Sequence, residues 1–262
     1  MSLTLDIGAT GMLAQQLNVD TISNNIANMT TTGYKRQRAE FQDLLYQTKI
    51  RPGASSSDAA TTIPSGIQQG LGVKAGSVYR INEQGALQGT SNKFDLAATG
   101  KGYFQITLPS GETAYTRAGS FQMNQSGQMV TQQGYVLQPG ITIPSDAVDV
   151  TINSSGQVLV KIQGQTALTN AGQIQMAIFP NDAGLEAIGD NLSVVSEASG
   201  AAVVGNPGAP GYGTLQQGML EASNVNVVEE ITSLIQAQRA YEMNSKVIQA
   251  GDQMLNTITQ LR

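Results

Sequence analysis

The sequence predicts an α+β fold in which N- and C-terminal helices form a coiled-coil domain around a central, mainly antiparallel β-region. Apolar residues recur at helical spacing near the N-terminus and every seven residues near the C-terminus, whereas glycines recur every seven or eight residues in the middle. A helix with an apolar stripe must bury that stripe against another surface. We therefore expect the two ends to pair with each other and with neighbouring copies of the chain.

The first helix is predicted from about Thr4 to about Met29, with a closing turn at Gly33 in the left-handed conformation. Near its end lie three asparagines, Asn24, Asn25 and Asn28. Their side chains either face solvent on the outer side of the helix or hydrogen-bond across a helix interface, and the sequence leaves both interpretations open. The apolar stripe consists of Met12, Val19, Ile22, Ile26 and Met29.

Residues 46–66 are rich in Ser, Thr, Ala, Pro and Gly, so composition alone predicts a flexible linker. Short strands broken by glycines are expected from 67 to 96. Further strands are expected at 103–106, 157–160, 174–178 and 192–195, separated by glycine turns that are typical of hairpins in an antiparallel sheet. Those turn glycines are Gly111, Gly119, Gly127, Gly134, Gly156, Gly164 and Gly172.

The second helix is predicted to begin after Asn226 as N-cap, with Glu229 three residues later to return the hydrogen bond. It continues for about 35 residues, or roughly 52 Å, to Leu261. A sustained seven-residue apolar repeat predicts a left-handed supercoil with a partner helix. The residues expected at this interface are Val227, Ile231, Leu234, Tyr241, Ile248 and Leu255.

Composition argues against several classes of function. The 262 residues can bury a sizeable core in one large or two smaller domains. Only 13% of them are charged, against about 25% in ordinary soluble domains, which suggests that much of the surface faces protein. The net charge of −5 and the lack of a basic block argue against nucleic-acid binding. We interpret Lys35, Arg36 and Arg38 as charges that complement the end of the first helix.

The residue types also argue against catalysis. The chain has no His and no Cys, so the common zinc sites, thiol nucleophiles and histidine-based triads are excluded. Asp and Glu are scattered along the sequence rather than paired in one region. The carboxylates of Asp182, Glu186 and Asp190 lack the calcium-loop pattern. We expect neither an enzymatic activity nor a metal or cofactor.

Two further observations concern location. No segment approaches the roughly 18 apolar residues of a membrane span. Residues 1–30 lack the basic start and compact apolar run of a cleaved signal peptide. We expect that export, if it occurs, uses another route.

Three separated motifs resemble bacterial flagellar rod and hook proteins. The first runs from Ser23 to Lys35, the second covers 95–104 and 114–121, and the third begins at Glu221 and continues into the second helix. The resemblance covers the whole chain, because the order and the spacing of all three motifs agree. The motif residues singled out are Asn24, Asn28, Gly33, Tyr34, Lys35, Asn224, Asn226, Arg239 and Tyr241.

Within that family, an insertion after the first helix resembles that of distal-rod subunits. We expect it to be ordered between neighbouring subunits and to stiffen the rod. Its marker residues are Tyr46, Pro52, Gly53, Pro64 and Gly66.

The resemblance implies a division of the chain into three parts. Residues 1–33 and 223–262 would form the inner helical domain, 95–180 the outer β-domain, and 34–94 with 181–222 the connection. Copies would stack helically into a rigid hollow drive shaft in the periplasm, exported by the flagellar apparatus. The implied partners are proximal-rod and hook proteins at the two ends and the bushing-ring proteins around the shaft, with no nucleic acid and no direct membrane insertion.

The same reasoning predicts how assembly proceeds. A lone subunit that exposes two apolar stripes is expected to have largely disordered termini, which fold when it is incorporated. Two alternatives stay open. One is a proximal-rod or hook protein of the same family, and the other is a secreted carbohydrate-binding or hydrolytic β-domain with oligomerising helices.

Overall fold

A computed structural model describes residues 3–52, 65–165 and 167–260. The chain forms two compact units. The first comprises residues 1–27, 37–79 and 226–262, and the second comprises 28–36 and 80–225. The expected combination of terminal helices with a mainly antiparallel β-region is confirmed at this level.

Helix α1 spans Leu3–Ala27 and helix α2 spans Val227–Gln260, close to the predicted bounds. Helix α2 begins as predicted at its N-cap, because the Asn226 Oδ1 accepts a hydrogen bond of 3.2 Å from the Val228 amide. The two helices lie antiparallel. Leu5 is next to Gly251, and Gly8 is next to Ile248.

Among the described residues, the first unit also contains four strands: β1 (Gln37–Asp43), β2 (Tyr46–Ile50), β3 (Ile67–Gly70) and β4 (Val73–Arg80). Strand β1 pairs with β4, and β2 pairs antiparallel with β3. Backbone bonds from Leu44 to Gly72 (2.9 Å) and from Leu71 to Leu45 (3.1 Å) join the two pairs into one long two-stranded ribbon, here called the β-ribbon.

The expectation of a flexible linker from residue 46 is wrong for its first five residues. Composition could not indicate the strand because β2 exposes every side chain. What orders it is the ladder of backbone bonds to β3, about twenty residues away in sequence. Residues 53–64, and with them the marker residues Gly53 and Pro64, lie outside the described residues.

The second unit contains the remaining strands. They are β5 (Leu87–Gly89), β6 (Leu96–Thr99), β7 (Tyr103–Thr107), β8 (Thr113–Thr116), β9 (Gln122–Met123), β10 (Met129–Val130), β11 (Val136–Leu137), β12 (Ala147–Ile152), β13 (Gln157–Ile162), β14 (Thr169–Gln173), β15 (Met176–Ile178), β16 (Glu186–Gly189), β17 (Leu192–Val194), β18 (Val203–Gly205), β19 (Thr214–Gln217) and β20 (Met219–Glu221). A short 3₁₀ turn covers Asp182–Gly184.

These strands form one large and three small antiparallel sheets. The large sheet runs β16-β17-β8-β7-β11-β10-β9, and β15 pairs with both β7 and β18. The small sheets are β12-β13-β14, β6-β19 and β5-β20. The predicted hairpin rhythm is confirmed where Asn153 and Gly156 turn β12 into β13, with a 2.9 Å bond from the Gly156 amide to the Asn153 carbonyl.

One predicted strand is shorter than expected. Residues 174–178 were expected to form a single strand, but β14 ends at Gln173 and β15 begins at Met176. Strand β14 belongs to the three-stranded sheet and β15 to the large sheet, so the chain changes sheets at this point. Ile174 is fully buried there, and its amide donates to the Gly156 carbonyl over 2.8 Å.

The core of the second unit lies between these sheets. Phe104 on β7 meets Phe121 edge to face, with ring centroids 5.3 Å apart. Aliphatic side chains from β6, β13 and β19 complete the cluster, among them Leu96, Val158 and Leu215.

Candidate functional site: paired helices and a buried charge junction

The face of α2 that meets α1 is lined by small and polar residues. Glu230 hydrogen-bonds to Asn25, Asn244 lies against Gly11, and Gly251 lies against Leu5. Ala237, which is buried, continues the same seven-residue row. Small residues let two helices approach closely, which explains why this row lacks the large apolar side chains that the sequence analysis selected.

The predicted large-residue row of α2 alternates with this small-residue row. Together they form a first seam with alternating spacings of four and three residues, as in a coiled coil. Val227, Leu234 and Ile248 are partly buried, whereas Tyr241 and Leu255 are about 40% exposed. The first seam comprises Glu230, Leu234, Ala237, Tyr241, Asn244, Ile248, Gly251 and Leu255.

The predicted stripe of α1 has a similarly mixed environment. Ile22 is buried in the chain, while Met12, Val19 and Ile26 are partly buried. Met29 lies just past the end of α1 and is exposed.

A second apolar seam of α2 lies to one side of the first seam. It comprises Ala240, Met243, Val247, Ala250 and Met254, spaced three, four, three and four residues apart. At 100° per residue, this row lies about 100° or more around the helix from the first seam. Met243 is 61% exposed and Met254 is 56% exposed. Ile231, which the sequence analysis placed at an interface, is also exposed, on another side of α2.

Asn25 fixes the end of α1 within the first unit. Its Nδ2 donates to the Gln37 carbonyl (2.8 Å) and to the Glu230 Oε2 (3.2 Å), and its Oδ1 accepts from the Gln37 amide (2.8 Å). The side chain is almost completely buried. Of the two interpretations left open, hydrogen bonding across a helix interface is therefore correct for Asn25, a residue that was not selected as a motif position.

The second unit contains a buried charge junction formed by Lys35, Arg117 and Glu221. The Lys35 Nζ donates to the Glu221 Oε1, and the Arg117 Nε lies 3.0 Å from the Glu221 Oε2. The side chain of Glu221 is fully buried, and those of Lys35 and Arg117 are nearly so. Burial of the ammonium group lowers the pKa of Lys35, although the hydrogen bond to Glu221 opposes this shift.

Backbone groups complete the charge junction. The Lys35 Nζ also donates to the Glu83 carbonyl (2.7 Å), and the Gly85 amide donates to the Glu221 carboxylate (3.0 Å). The Arg117 guanidinium donates to the Gly100 carbonyl over 2.9 Å. The interpretation of Lys35 as a charge that complements the first helix is therefore wrong, because its ammonium group forms a buried ion pair with Glu221. Sequence could not reveal this pairing, since 186 positions separate the two residues.

All three motifs meet at this junction. Lys35 belongs to the first motif, Arg117 to the second and Glu221 to the third. The Gly33 amide donates to the Glu221 carbonyl (2.8 Å), and Gly33 has the predicted positive φ of 69°. The side chain of Asn224 accepts from the Arg36 amide (2.7 Å) and donates to the Ile81 carbonyl (2.9 Å).

The other motif and insertion residues have simpler positions. Asn28 and Tyr34 lie in the turn after α1, while Asn24 and Arg239 lie on exposed helix surface. Tyr46 is exposed on β2, and its hydrogen bond to Asp43 raises the pKa of its phenol. Pro52 is exposed at the end of the described ribbon. Gly66 lies against the Ile50 carbonyl, where a side chain has no room.

A cleft of about 230 Å³ opens beside the junction, lined by Lys101, Tyr103 and Asp182 among others. Burial raises the pKa of Tyr103 and that of Asp182. Within the described ranges, no group of three or more acidic side chains is placed to hold a metal ion. None of the described helices is long and apolar enough to cross a bilayer. The Glu221 carboxylate contacts both cations of the junction, and backbone carbonyls accept their remaining hydrogen bonds, so this arrangement supports structure.

Comparison with known families identifies the same three regions. The family described as "Flagella basal body rod protein" matches residues 5–35, and the "Flagellar hook protein FlgE/F/G D1 domain" matches residues 97–160. The "Flagellar basal body rod FlgEFG protein C-terminal" family matches residues 216–261. The three matches contain Lys35, Arg117 and Glu221 respectively.

Whole-chain relatives agree with these matches. A flagellar basal-body rod protein FlgG of Caulobacter vibrioides is 62% identical over 258 residues, which cover 98% of each chain. The FlgG protein of Bacillus subtilis is 41% identical over the full length of both chains. A flagellar hook-basal body complex protein FlhP of the same species is 32% identical over 94% of each chain. The chain therefore belongs to the FlgG family of flagellar basal-body rod proteins.

Proposed function

We propose that this chain is the structural subunit of the flagellar distal rod and that its copies assemble helically into a rigid hollow shaft. The shaft transmits torque from motor to hook and encloses an export channel. The subunit is a structural protein and not an enzyme, in keeping with relatives that are named rod proteins. The observation that carries the proposal is the second seam of α2, an apolar row whose large side chains are exposed among the described residues.

Neighbouring copies supply the missing partner for this seam. The seam alternates spacings of three and four residues, which is the pattern of a helix that packs against another helix. Burying a large apolar side chain contributes about 1.5–3 kcal/mol. Several such side chains at each contact offset the entropy lost when a subunit is ordered. In the assembly the two terminal helices form an inner coiled-coil domain.

The order of events follows from the same surface. Much of the apolar surface of α2 is uncovered in one chain, so the terminal helices become fully ordered only when a subunit joins the rod. Circular dichroism of the purified monomer tests this step. A helical content that already matches two complete terminal helices would contradict it.

Each part of the chain is assigned a position in the shaft. The inner domain is formed by 1–33 and 223–262, the outer β-domain by 95–180, and the connection by 34–94 and 181–222. The β-ribbon and the insertion at its end lie between subunits and stiffen the shaft. Support for this assignment comes from the exposed apolar residues of the ribbon, Leu45, Tyr46 and Ile67.

The proposed surroundings are those of a rod that spans the periplasm. Proximal-rod proteins adjoin one end and the hook protein the other, and the bushing-ring proteins surround the shaft. The subunit reaches this position through the flagellar export apparatus, without a cleaved signal peptide. Neither a proximal-rod or hook role nor a secreted carbohydrate-active role is favoured by the relatives, which are FlgG proteins over nearly the whole chain.

Electron microscopy and sedimentation of the purified protein test the proposal. The wild-type chain is expected to form tubes, and Val247→Asp is expected to abolish them by placing a charge in the second seam. Gln249→Asp is the matched control, because it places the same side chain on nearly the opposite side of α2 and should assemble. Tubes from Val247→Asp, or none from the wild type, would contradict the proposal.

A further inference from the structure

Two methionines in the second seam are the most exposed sulfur groups in the described part of the chain. Met243 is 61% exposed and Met254 is 56% exposed. The chain has no cysteine, so methionine is its only sulfur-containing residue type. By contrast, Met129 and Met176 are buried in the core of the second unit, with exposures of 1% and 0%.

We propose that Met243 and Met254 are oxidation sites that control incorporation of the subunit. Oxidation of either thioether by a peroxide before assembly prevents the subunit from joining a rod. The inference rests on the proposed function, because the second seam must be buried between copies for its polarity to matter. The vulnerable period lies between export of the subunit and its incorporation.

The chemistry is a two-electron oxygen transfer. The sulfur attacks one oxygen of the peroxide, the O–O bond breaks, and an S–O bond forms. The sulfur loses two electrons and becomes a sulfoxide, while the other peroxide oxygen takes up a proton and leaves as water or an alcohol. Peptide methionine sulfoxide reductases reverse this oxidation with a thiol as reductant.

The product is incompatible with a dry helix interface. A sulfoxide replaces an apolar, flexible side chain with a polar one. The neighbours of the two methionines within the seam are apolar, namely Ala240, Val247 and Ala250. An unsatisfied polar group at a buried position should raise the critical concentration for assembly by about tenfold or more.

The position of the methionines makes the effect specific. Met123 is 49% exposed on β9 of the second unit and should oxidise at a similar rate in the monomer. It lies outside the seam, so its sulfoxide should leave assembly unchanged. Once a rod has formed, Met243 and Met254 should be protected from peroxide.

The experiment treats purified full-length monomer with hydrogen peroxide, maps sulfoxides by peptide mass spectrometry, and measures assembly by sedimentation. Met243→Leu/Met254→Leu keeps the apolar volume of the seam and should assemble with or without peroxide. Met123→Leu is the matched control and should stay sensitive. Methionine sulfoxide reductase should restore assembly of the oxidised wild type.

The outcomes separate this inference from the proposed function. Wild type that assembles equally well after Met243 and Met254 are oxidised overturns the inference and leaves the proposed function intact. Equal oxidation of these residues in monomers and in rods also overturns it, because the seam would then be accessible to solvent in the assembly. Untreated protein that never assembles overturns the proposed function, and the inference with it.

Discussion

Glu221 accepts a hydrogen bond from Lys35 and forms an ion pair with Arg117 while its own side chain is fully buried. Transferring three charges out of water is costly, and the cost is offset only while each charge keeps its partners. Such a cluster contributes little net stability compared with an apolar replacement of the same shape, but losing one member leaves the others uncompensated. The residues of the charge junction are therefore strongly coupled to each other.

Glu221→Gln should lower the free energy of unfolding by about 3–5 kcal/mol, because it leaves two buried cations without a counter-ion. Chemical denaturation followed by near-ultraviolet circular dichroism measures the change. Asp149→Asn is the control, since it breaks the exposed pair with Lys93 and should have a much smaller effect. Equal effects of the two substitutions would refute the role of burial.

Asp182 gives a prediction about pH. Burial raises the pKa of its carboxyl above the usual 3.8. Between the pKa of the unfolded state and the higher pKa of the folded state, the folded protein therefore binds more protons than the unfolded protein. Stability attributable to this group is therefore present below pH 3.8 and is lost as the pH rises through the folded pKa. Asp182→Asn should match wild type in acid and exceed its stability near neutral pH.

Chemical denaturation across a pH series checks the direction in which the stability contribution of Asp182 changes with pH. Asp149 supplies a control of opposite direction, because the hydrogen bond from Lys93 lowers the pKa of its carboxyl. Wild type should lose stability relative to Asp149→Asn as the pH falls through that lowered pKa. The same pH trend for both variants would be incompatible with the assignments.

Gly33 combines a positive φ with a crowded position. A Cβ there would lie 2.7 Å from the Ala118 nitrogen and 2.8 Å from the Arg117 carbonyl carbon, which are backbone atoms that cannot rotate away. Gly33→Val should cost about 3 kcal/mol or more and reduce motility in cells that depend on it. Gly111→Val has a positive φ of 88° but open space around it, so it should cost only about 1–2 kcal/mol. Thermal unfolding of both variants separates conformational strain from the clash.

At the scale of elements, the α1–α2 pair depends on close contact through glycine. A Cβ on Gly8 would lie 2.7 Å from the Ile248 Cγ1, near the base of a branched side chain. A Cβ on Gly251 would instead meet the Leu5 Cδ2 at 3.1 Å, at the free end of a flexible side chain. The same substitution at these two sites therefore has opposite consequences.

Gly8→Ala should lower stability by about 1–2 kcal/mol, because overpacking outweighs the gain of about 1 kcal/mol in helix propensity. Gly251→Ala should be neutral or stabilising by up to about 1 kcal/mol, since Leu5 can adjust. Helical circular dichroism during thermal unfolding of the assembled protein gives both values. A stabilised Gly8→Ala variant would argue against the close helix contact.

At the scale of the whole molecule, the insertion at residues 46–66 is the feature whose deletion should change the assembly and not the fold. Strand β2, which lies within these residues, exposes every side chain, so its removal uncovers little apolar surface. Deleting residues 46–66 should leave subunits able to assemble but should yield curved or flexible rods. Negative-stain electron microscopy measures the curvature, and straight, stiff rods from the deletion variant would refute a stiffening role.

Much of the architecture could be predicted from the sequence, because it depends on local patterns. The bounds of α1 and α2, the N-cap at Asn226 and the turn at Gly33 all follow from spacing and residue type within a few positions. The hairpins of the second unit follow from the glycine rhythm for the same reason. The motif resemblance also led to the family, because the order and spacing of motifs are properties of the sequence.

Tertiary structure decided what depends on residues that are distant in sequence. It paired Lys35 with Glu221, gave Asn25 its buried hydrogen bonds, and ordered β2 through β3. It also placed Gly8 against Ile248 and Gly251 against Leu5, so these close contacts between α1 and α2 pair a glycine with a larger side chain. Sequence periodicity determines which face of a helix is apolar, but the partner that covers each side chain is set by long-range packing. In this chain, that packing brings Asn25 against Glu230 and Gly8 against Ile248, and it leaves Met243 and Met254 exposed.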